Sequence, residues 1–323
     1  MKGKNLFRRS GIAFLCVYLL ATTVLAKELV PVGRIVGLEL HDNQVVIAGF
    51  DEKQGAAAKA SGLQSGDVLL KIDNVAITRP EDVRKALNCS DGSVAIQIRR
   101  QGKTENIRLE PVITSEGPKL GVYLRQGING IGTVTWYDPE TGRFGTLGHG
   151  VNDSTGKLLQ LQSGLAYNAR VTAVKKGQIG QPGQLYGTME SPEPVGSLQK
   201  NTQQGVYGTS DTGWEGQTIP VAKSGEIRTG DAVIRSTVTG EGVREYSAKI
   251  LKIYPKAREG GRNILLQITD PALLETTGGI VQGMSGSPIL QNGKLVGAVT
   301  HVLVNDPTMG YGIFIENMLD AAA

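Results

Sequence analysis

One serine has a setting suited to chemistry. The stretch Gly278-Gly279-Ile280-Val281-Gln282-Gly283-Met284-Ser285-Gly286-Ser287-Pro288 holds Ser285 among glycines, just before a hairpin signal in which Asn292-Gly293 separates Pro288-Ile289-Leu290 from Lys294-Leu295-Val296. Acyl transfer needs a hydroxyl exposed on a sharp turn and backbone N–H groups converging where the carbonyl oxygen becomes negative, a geometry that glycines permit. Gly283 and Ser285 would supply those donors, and one such donor contributes roughly 3 kcal/mol to transition-state stabilisation. In a chain with 44 glycines a Gly-x-Ser-Gly match arises easily by chance, so a plain turn serine is the competing reading. The continuation through Pro288 into a hairpin favours the nucleophile. The elbow of an α/β-hydrolase fails here, because it requires Gly-x-Ser-x-Gly and position 287 is Ser287.

A serine needs a base, and the chain has only three histidines, His41, His149 and His301. His149 lies in Phe144-Gly145-Thr146-Leu147-Gly148-His149-Gly150, where flanking glycines leave an imidazole room to face a cleft. His41, beside Asp42 and Asn43, reads as a solvated turn residue. His301 sits in Ala298-Val299-Thr300-His301-Val302 and reads as part of a strand lining the cleft. An orienting carboxylate would fix the imidazole tautomer. Asp270, in Ile268-Thr269-Asp270-Pro271, is the first candidate, with Asp153, Asp231 and Asp306 as rivals. Asp270 reads equally as the N-cap of a short helix beginning at Pro271.

Short strands must position these groups. Forty-four glycines against five Phe and two Trp favour tight turns over helix bundles. Turn signals at Asp138-Pro139, Gln181-Pro182-Gly183, Thr239-Gly240 and Asn292-Gly293 punctuate strand-like runs such as Thr133 to Tyr137, Ala232 to Thr237, Ile264 to Ile268 and Leu295 to Val299. A mainly β barrel or sandwich is expected. Upstream, Pro31 to about Pro111 reads as a separate domain of short strands with one helix from Pro80 to Leu87, capped by Thr78. Residues 113–132 read as a linker and first strand of the second domain. The stretch Ala56-Ala57-Ala58-Lys59-Ala60-Ser61-Gly62-Leu63-Gln64-Ser65-Gly66-Asp67-Val68-Leu69-Leu70-Lys71-Ile72-Asp73 closely resembles a PDZ domain. That resemblance implies binding of peptide C-termini by strand addition, with Val36-Gly37-Leu38 as the carboxylate-holding loop and Arg34 nearby.

Composition limits the alternatives. Forty per cent hydrophobic and 20% charged residues exclude a wholly disordered or polytopic membrane chain. Of the 34 basic residues, Lys2, Lys4, Arg8 and Arg9 fall in the first nine positions, leaving 30 against 30 acids, so no nucleic-acid footprint is expected. That basic start, the apolar run Gly11 to Ala26 and the abrupt Lys27-Glu28 describe an export signal or retained anchor. Cys16 follows Leu15 rather than a small residue, which argues against lipidation. Only Cys89 remains beyond it, so neither an intrachain disulfide nor a cysteine zinc site is expected, and no metal or other cofactor is implied.

Taken together, the residues resemble the SpoIVB family of sporulation serine peptidases. The match runs through Gly145-Thr146-Leu147-Gly148-His149-Gly150, Thr269-Asp270, Gly278 through Pro288, and Gly297-Ala298-Val299-Thr300-His301-Val302 with Asn305-Asp306-Pro307. The resemblance implies an export signal over residues 1–26, a PDZ domain over 31–112 and a chymotrypsin-like double β-barrel peptidase domain over 113–323. It assigns His149 as base, Asp270 as orienter and Ser285 as nucleophile. It further implies a self-cleaving signalling protease between the two forespore membranes, whose other substrate is a membrane-bound regulator of an intramembrane metalloprotease that activates a late sigma factor. A quality-control protease of the HtrA kind is disfavoured, because there the PDZ modules follow the protease. The alternative from another class is a PDZ adaptor with a non-catalytic protease-like domain.

Overall fold

Side chains that alternate along a strand can bury one face only if the sheet meets another layer or closes on itself. Here it closes twice. The computed structural model describes residues 27–153, 156–240, 242–258 and 261–323, so the expected export signal lies outside the described residues. In Gly230–Ser236 the inward positions are Ala232, Ile234 and Ser236, and in Arg262–Ile268 they include Ile264, Leu266 and Ile268. These strands join Arg244–Arg258, Asp306–Phe314, Lys294–Leu303 and Pro288–Gln291 in a closed barrel filled by residues such as Ile250, Ile289, Val296, Val299 and Phe314.

A second ring forms from Ile35–Phe50, Val122–Tyr137, Arg143–Thr146, Gly205–Thr209, Gly196–Thr202 and Ser163–Lys175, because Ile35–Phe50 pairs with both Ser163–Lys175 and Val122–Tyr137. Val36, Leu38, Leu40, Val134, Phe144 and Val206 fill it, and Trp214 stacks edge-on against Phe144 at 5.0 Å. The fold is thus mainly β, a double β-barrel with a PDZ domain, as expected.

The two modules are not arranged in series. Ile35 to Leu40 pairs with Thr133 to Ile128 inside the first barrel, and beyond a break in register Val45 to Phe50 pairs with Gln126 to Val122. The outer halves of these strands belong to a different core, in which Val45, Ile47 and Leu124 pack with Leu69, Ile72, Val83, Leu87, Ile96 and Ile98. The PDZ module is therefore inserted into a hairpin of the first barrel. The expected boundaries at 31 and 112 need correcting on this ground: Glu28 to Leu40 contributes strands to the barrel side, and residues 113–126 are neither linker nor peptidase barrel. At the junction Gly127 has φ +72, and a Cβ there would overlap the Leu40 carbonyl. Gln126 ties the junction by donating to Asp42 O (2.7 Å) and Thr78 O (3.0 Å).

Within the module, the Gly66-Asp67 turn is held by Asp67, which is 1% exposed and accepts from Arg100 Nε and Nη2 at 2.7 Å each and from Gln64 N–H at 2.8 Å. The helix Pro80–Asn88 starts at Pro80 as expected, with Arg79 rather than Thr78 at the N-cap position. Its capping group is Asp82, which accepts from the Thr78 and Arg79 N–H groups and from the Thr78 hydroxyl. Those bonds hold the Asp82 carboxyl below the usual carboxylate range.

Candidate active site

The Ser285 turn is built by glycines and clamped by threonines. Gly283 (φ +100) and Gly286 (φ +96) take backbone conformations that side chains disfavour. Met284 (0% exposed) and Ser287, whose hydroxyl pairs with Ser236 Oγ at 2.9 Å, point inward. The intervening Ser285 is left facing a cavity. From the long strand of the first barrel, Thr133 donates its N–H to Ser285 O and its hydroxyl to Gly283 O, both at 2.9 Å, while the Thr135 hydroxyl donates to Gly286 O at 2.7 Å. Thr146 Oγ1 in turn donates to Thr133 O at 2.7 Å. Sequence reading missed these buried threonines, because Thr alternating with Val and Trp reads as ordinary strand propensity.

The expected oxyanion donors have suitable surroundings. The Gln282 carbonyl accepts from Leu185 N–H at 2.8 Å, so the trans peptide aims the Gly283 N–H away from the strand Gln184–Met189. Among the described residues neither Gly283 N–H nor Ser285 N–H donates to a protein group.

His149 reaches the same cavity through an unusual turn. Leu147 (φ +69) and Gly148 (φ +70) are both left-handed. For a leucine that conformation costs on the order of 1 kcal/mol. The imidazole Nδ1 lies 3.0 Å from Gly150 O. Since a carbonyl can only accept, Nδ1 carries the hydrogen and Nε2 keeps its lone pair, the form a general base requires. Burial pushes the His149 pKa down, opposed in part by the Gly150 bond, so the ring is neutral near pH 7. Behind it, Asn201 fixes the chain by accepting from Val151 N–H (3.0 Å) and donating to Val151 O (2.8 Å) and Leu159 O (2.9 Å). No sequence signal singled out Asn201.

His149 and Ser285 border one cavity with Leu38, Ile131, Leu147 and Gly283. They do not share a hydrogen bond in this conformation. The Ser285 hydroxyl donates to Thr300 O at 2.9 Å, and a change of its χ1 rotamer is what would re-aim it. His301 stands against His149 with ring centroids 5.3 Å apart, and its buried Nδ1 has no hydrogen-bond partner. Burial, followed by the nearby His149 and Arg262, lowers its pKa to about 4. His301 therefore remains uncharged beside His149. His41 is not a turn residue. It lies half-buried on a strand opposite Ser163, with Nε2 3.0 Å from Glu39.

Asp270 does not occupy the orienting position. Its oxygens accept from Leu273 N–H (3.0 Å) and Ser247 N–H (3.3 Å), capping the helix Pro271–Thr277. The group on His149 Nδ1 is instead the Gly150 carbonyl. Of the rival carboxylates, Asp231 faces Lys249, Asp306 accepts from Thr308, and Asp153 accepts from Lys157 N–H. We expect Asp270→Ala to destabilise the protein by about 1 kcal/mol through loss of the cap. It should lower kcat/KM less than 10-fold, where a true orienting carboxylate would cost about 10⁴-fold. Denaturant titration and steady-state kinetics on the same sample separate the two.

The expected carboxylate loop Val36-Gly37-Leu38 is also corrected. These residues lie mid-strand in the first barrel, paired on one side with Tyr167 and Ala166 and on the other with Ile131 and Gly130, so no backbone edge is open there. The open edge belongs to Val122–Leu124, which pairs with the strand ending at Phe50 on one side and borders a groove against Pro80, Val83 and Leu87 on the other. The turn leading into it is Leu120-Gly121, where Gly121 has φ +70. Leu120-Gly121-Val122 repeats the apolar-Gly-apolar pattern of Val36-Gly37-Leu38, so the pattern alone does not distinguish the two.

Two closed β-barrels with a glycine-cradled serine and a buried histidine in one cleft between them define the class of chymotrypsin-like serine peptidases. The family model described as SpoIVB peptidase S55 matches residues 116–319, more than half of the chain, and a PDZ domain model matches residues 52–100. The chain belongs to the SpoIVB peptidase S55 family and is a serine peptidase carrying a PDZ domain. Among solved structures, the PDZ domain of the SdrC-like protein from Listeria monocytogenes is 21% identical over 26% of this chain and 88% of its own, with a TM-score of 0.22. The Rv3671c protease from M. tuberculosis in its active form is 15% identical over 62% of this chain and 75% of its own, with a TM-score of 0.38. No match was found among curated proteins.

Proposed function

We propose that the protein is an exported signalling endopeptidase in which Ser285 attacks a peptide carbonyl, His149 takes and then returns the proton, and the N–H groups of Gly283 and Ser285 hold the oxyanion. The observation that carries this reading is the shared cavity, where His149 offers a lone pair at Nε2 and two N–H groups are free beside the hydroxyl. Peptide C-termini bind as an added strand along Val122–Leu124, with the carboxylate at Leu120-Gly121. Membership of the family supports the finer part: cleavage of its own chain and of a membrane-bound regulator between the forespore membranes, leading to late sigma-factor activation.

The pH profile tests the chemistry. A histidine with a lowered pKa is neutral, and so able to accept a proton, from below its ordinary value of 6.5 upward. Activity therefore falls only on the acid side, and kcat/KM for an internally quenched peptide should show one acid limb with its midpoint below 6.5. A midpoint above 7 would contradict the assignment. Self-cleavage is tested by mixing active protein with a tagged Ser285→Ala copy. Truncation of the tagged copy in trans supports it, and an intact copy while the peptide is turned over contradicts it.

A further inference from the structure

The cavity bordered by His149 and Ser285 continues into a second one, and the two share Leu38, Gly130 and Ile131. The continuation runs between the first-barrel sheet and the strand Gln184–Met189, and ends at Tyr186 and Met189, which are 46% and 47% exposed. Along one edge this strand pairs with Ala169 to Lys175; past Leu185 its other edge has no strand partner among the described residues. No Asp, Glu, Lys or Arg borders either cavity. The next charge along the chain, Glu190, is paired with Arg34 at 3.1 Å.

The direction of the groove fixes what enters it. A base that takes the serine proton returns it to the leaving nitrogen, so the leaving portion of the substrate lies against the barrel that carries His149. Both cavities are walled by that barrel, the first also by Gln282-Gly283 and the second also by the strand Gln184–Met189. Thr300, which receives the Ser285 hydroxyl, lies across the serine on the second barrel.

We propose that this groove is the binding site for the substrate segment following the scissile bond, that it takes an extended chain with uncharged, apolar side chains, and that Tyr186 and Met189 select them. The proposal rests on the assignment of Ser285 as nucleophile. Placing a charge there takes it partly out of water without offering a charged partner. Discrimination against Asp or Lys at these positions should therefore be about 100-fold.

Gly130 provides the test. It has no left-handed φ, and a Cβ built on it meets nothing within 4 Å, so a side chain would project into the groove without disturbing the sheet. The full protein and Gly130→Leu are compared by two rates, labelling of Ser285 with a small fluorophosphonate and cleavage of quenched peptides varied after the scissile bond. The expected result is a fall of at least 30-fold in the ratio of peptide cleavage to labelling in Gly130→Leu, and in Met189→Glu a shift of preference toward peptides carrying Lys there. An unchanged ratio, or equal cleavage of apolar and charged peptides by the unaltered protein, overturns the groove assignment. Failure of the unaltered protein to label at Ser285 instead overturns the nucleophile, and the groove assignment falls with it.

Discussion

Ser285→Ala is expected to lower peptide hydrolysis by a factor on the order of 10⁴ to 10⁶ while leaving the fold intact. The serine contributes one hydrogen bond to Thr300 O and little packing, so its loss costs about 1 kcal/mol of stability. His149→Ala should lose comparable activity, and the double variant should be no worse than either alone, because nucleophile and base act as one unit. Steady-state kinetics of the three variants beside their thermal unfolding curves make the check. Activity in Ser285→Ala within 10-fold of the unaltered protein, or full additivity of the two losses, would contradict the dyad.

Gly286→Ala should be nearly as damaging for a different reason. At φ +96 an alanine is strained, and its Cβ would overlap the Thr133 carbonyl oxygen and stand 2.6 Å from Leu147 N. Those atoms belong to the strand that clamps the serine turn and to the turn that presents His149. The substitution cannot be absorbed by a flexible side chain, since every clashing atom is backbone. We expect a destabilisation of about 3 kcal/mol or more together with loss of phosphonate labelling. Urea unfolding and labelling on the same preparation would test this. A protein that remains as stable as the parent and labels at the parental rate would show that the turn is not held as described.

The site was readable in the sequence where the chemistry needs particular residues close together in the chain. Glycines around Ser285 and His149 announce turns, and the hairpin signal following Pro288 is what separates a presented serine from a plain turn serine. Long-range features left weaker traces. Thr133, Thr135 and Asn201 act through hydrogen bonds to segments far away in sequence, and each type is common in strands and turns. Asp270 illustrates the converse. Asp-Pro before a short apolar segment is both a capping pattern and a plausible triad position, and only its partners, Leu273 and Ser247, distinguish the two. The insertion of the PDZ module was hidden because Ile35–Phe50 and Val122–Tyr137 each serve two cores, and the polar His41-Asp42-Asn43-Gln44 at the passage reads as an ordinary turn within one domain.

That continuity has a mechanical consequence. The strand whose outer half borders the groove beside the helix Pro80–Asn88 at Val122–Leu124 reaches Thr133 in its inner half, and Thr133 holds both Gly283 and Ser285. The PDZ groove and the serine turn are joined by a single strand.

The most direct measurement is a crystal structure of the protein after reaction with a fluorophosphonate. The account predicts phosphorus bonded to Ser285 Oγ, the phosphonyl oxygen within hydrogen-bond distance of both the Gly283 and Ser285 N–H groups, and His149 Nε2 facing the adduct. Phosphorus on another residue, or a phosphonyl oxygen turned away from both amides with His149 remote, would contradict it.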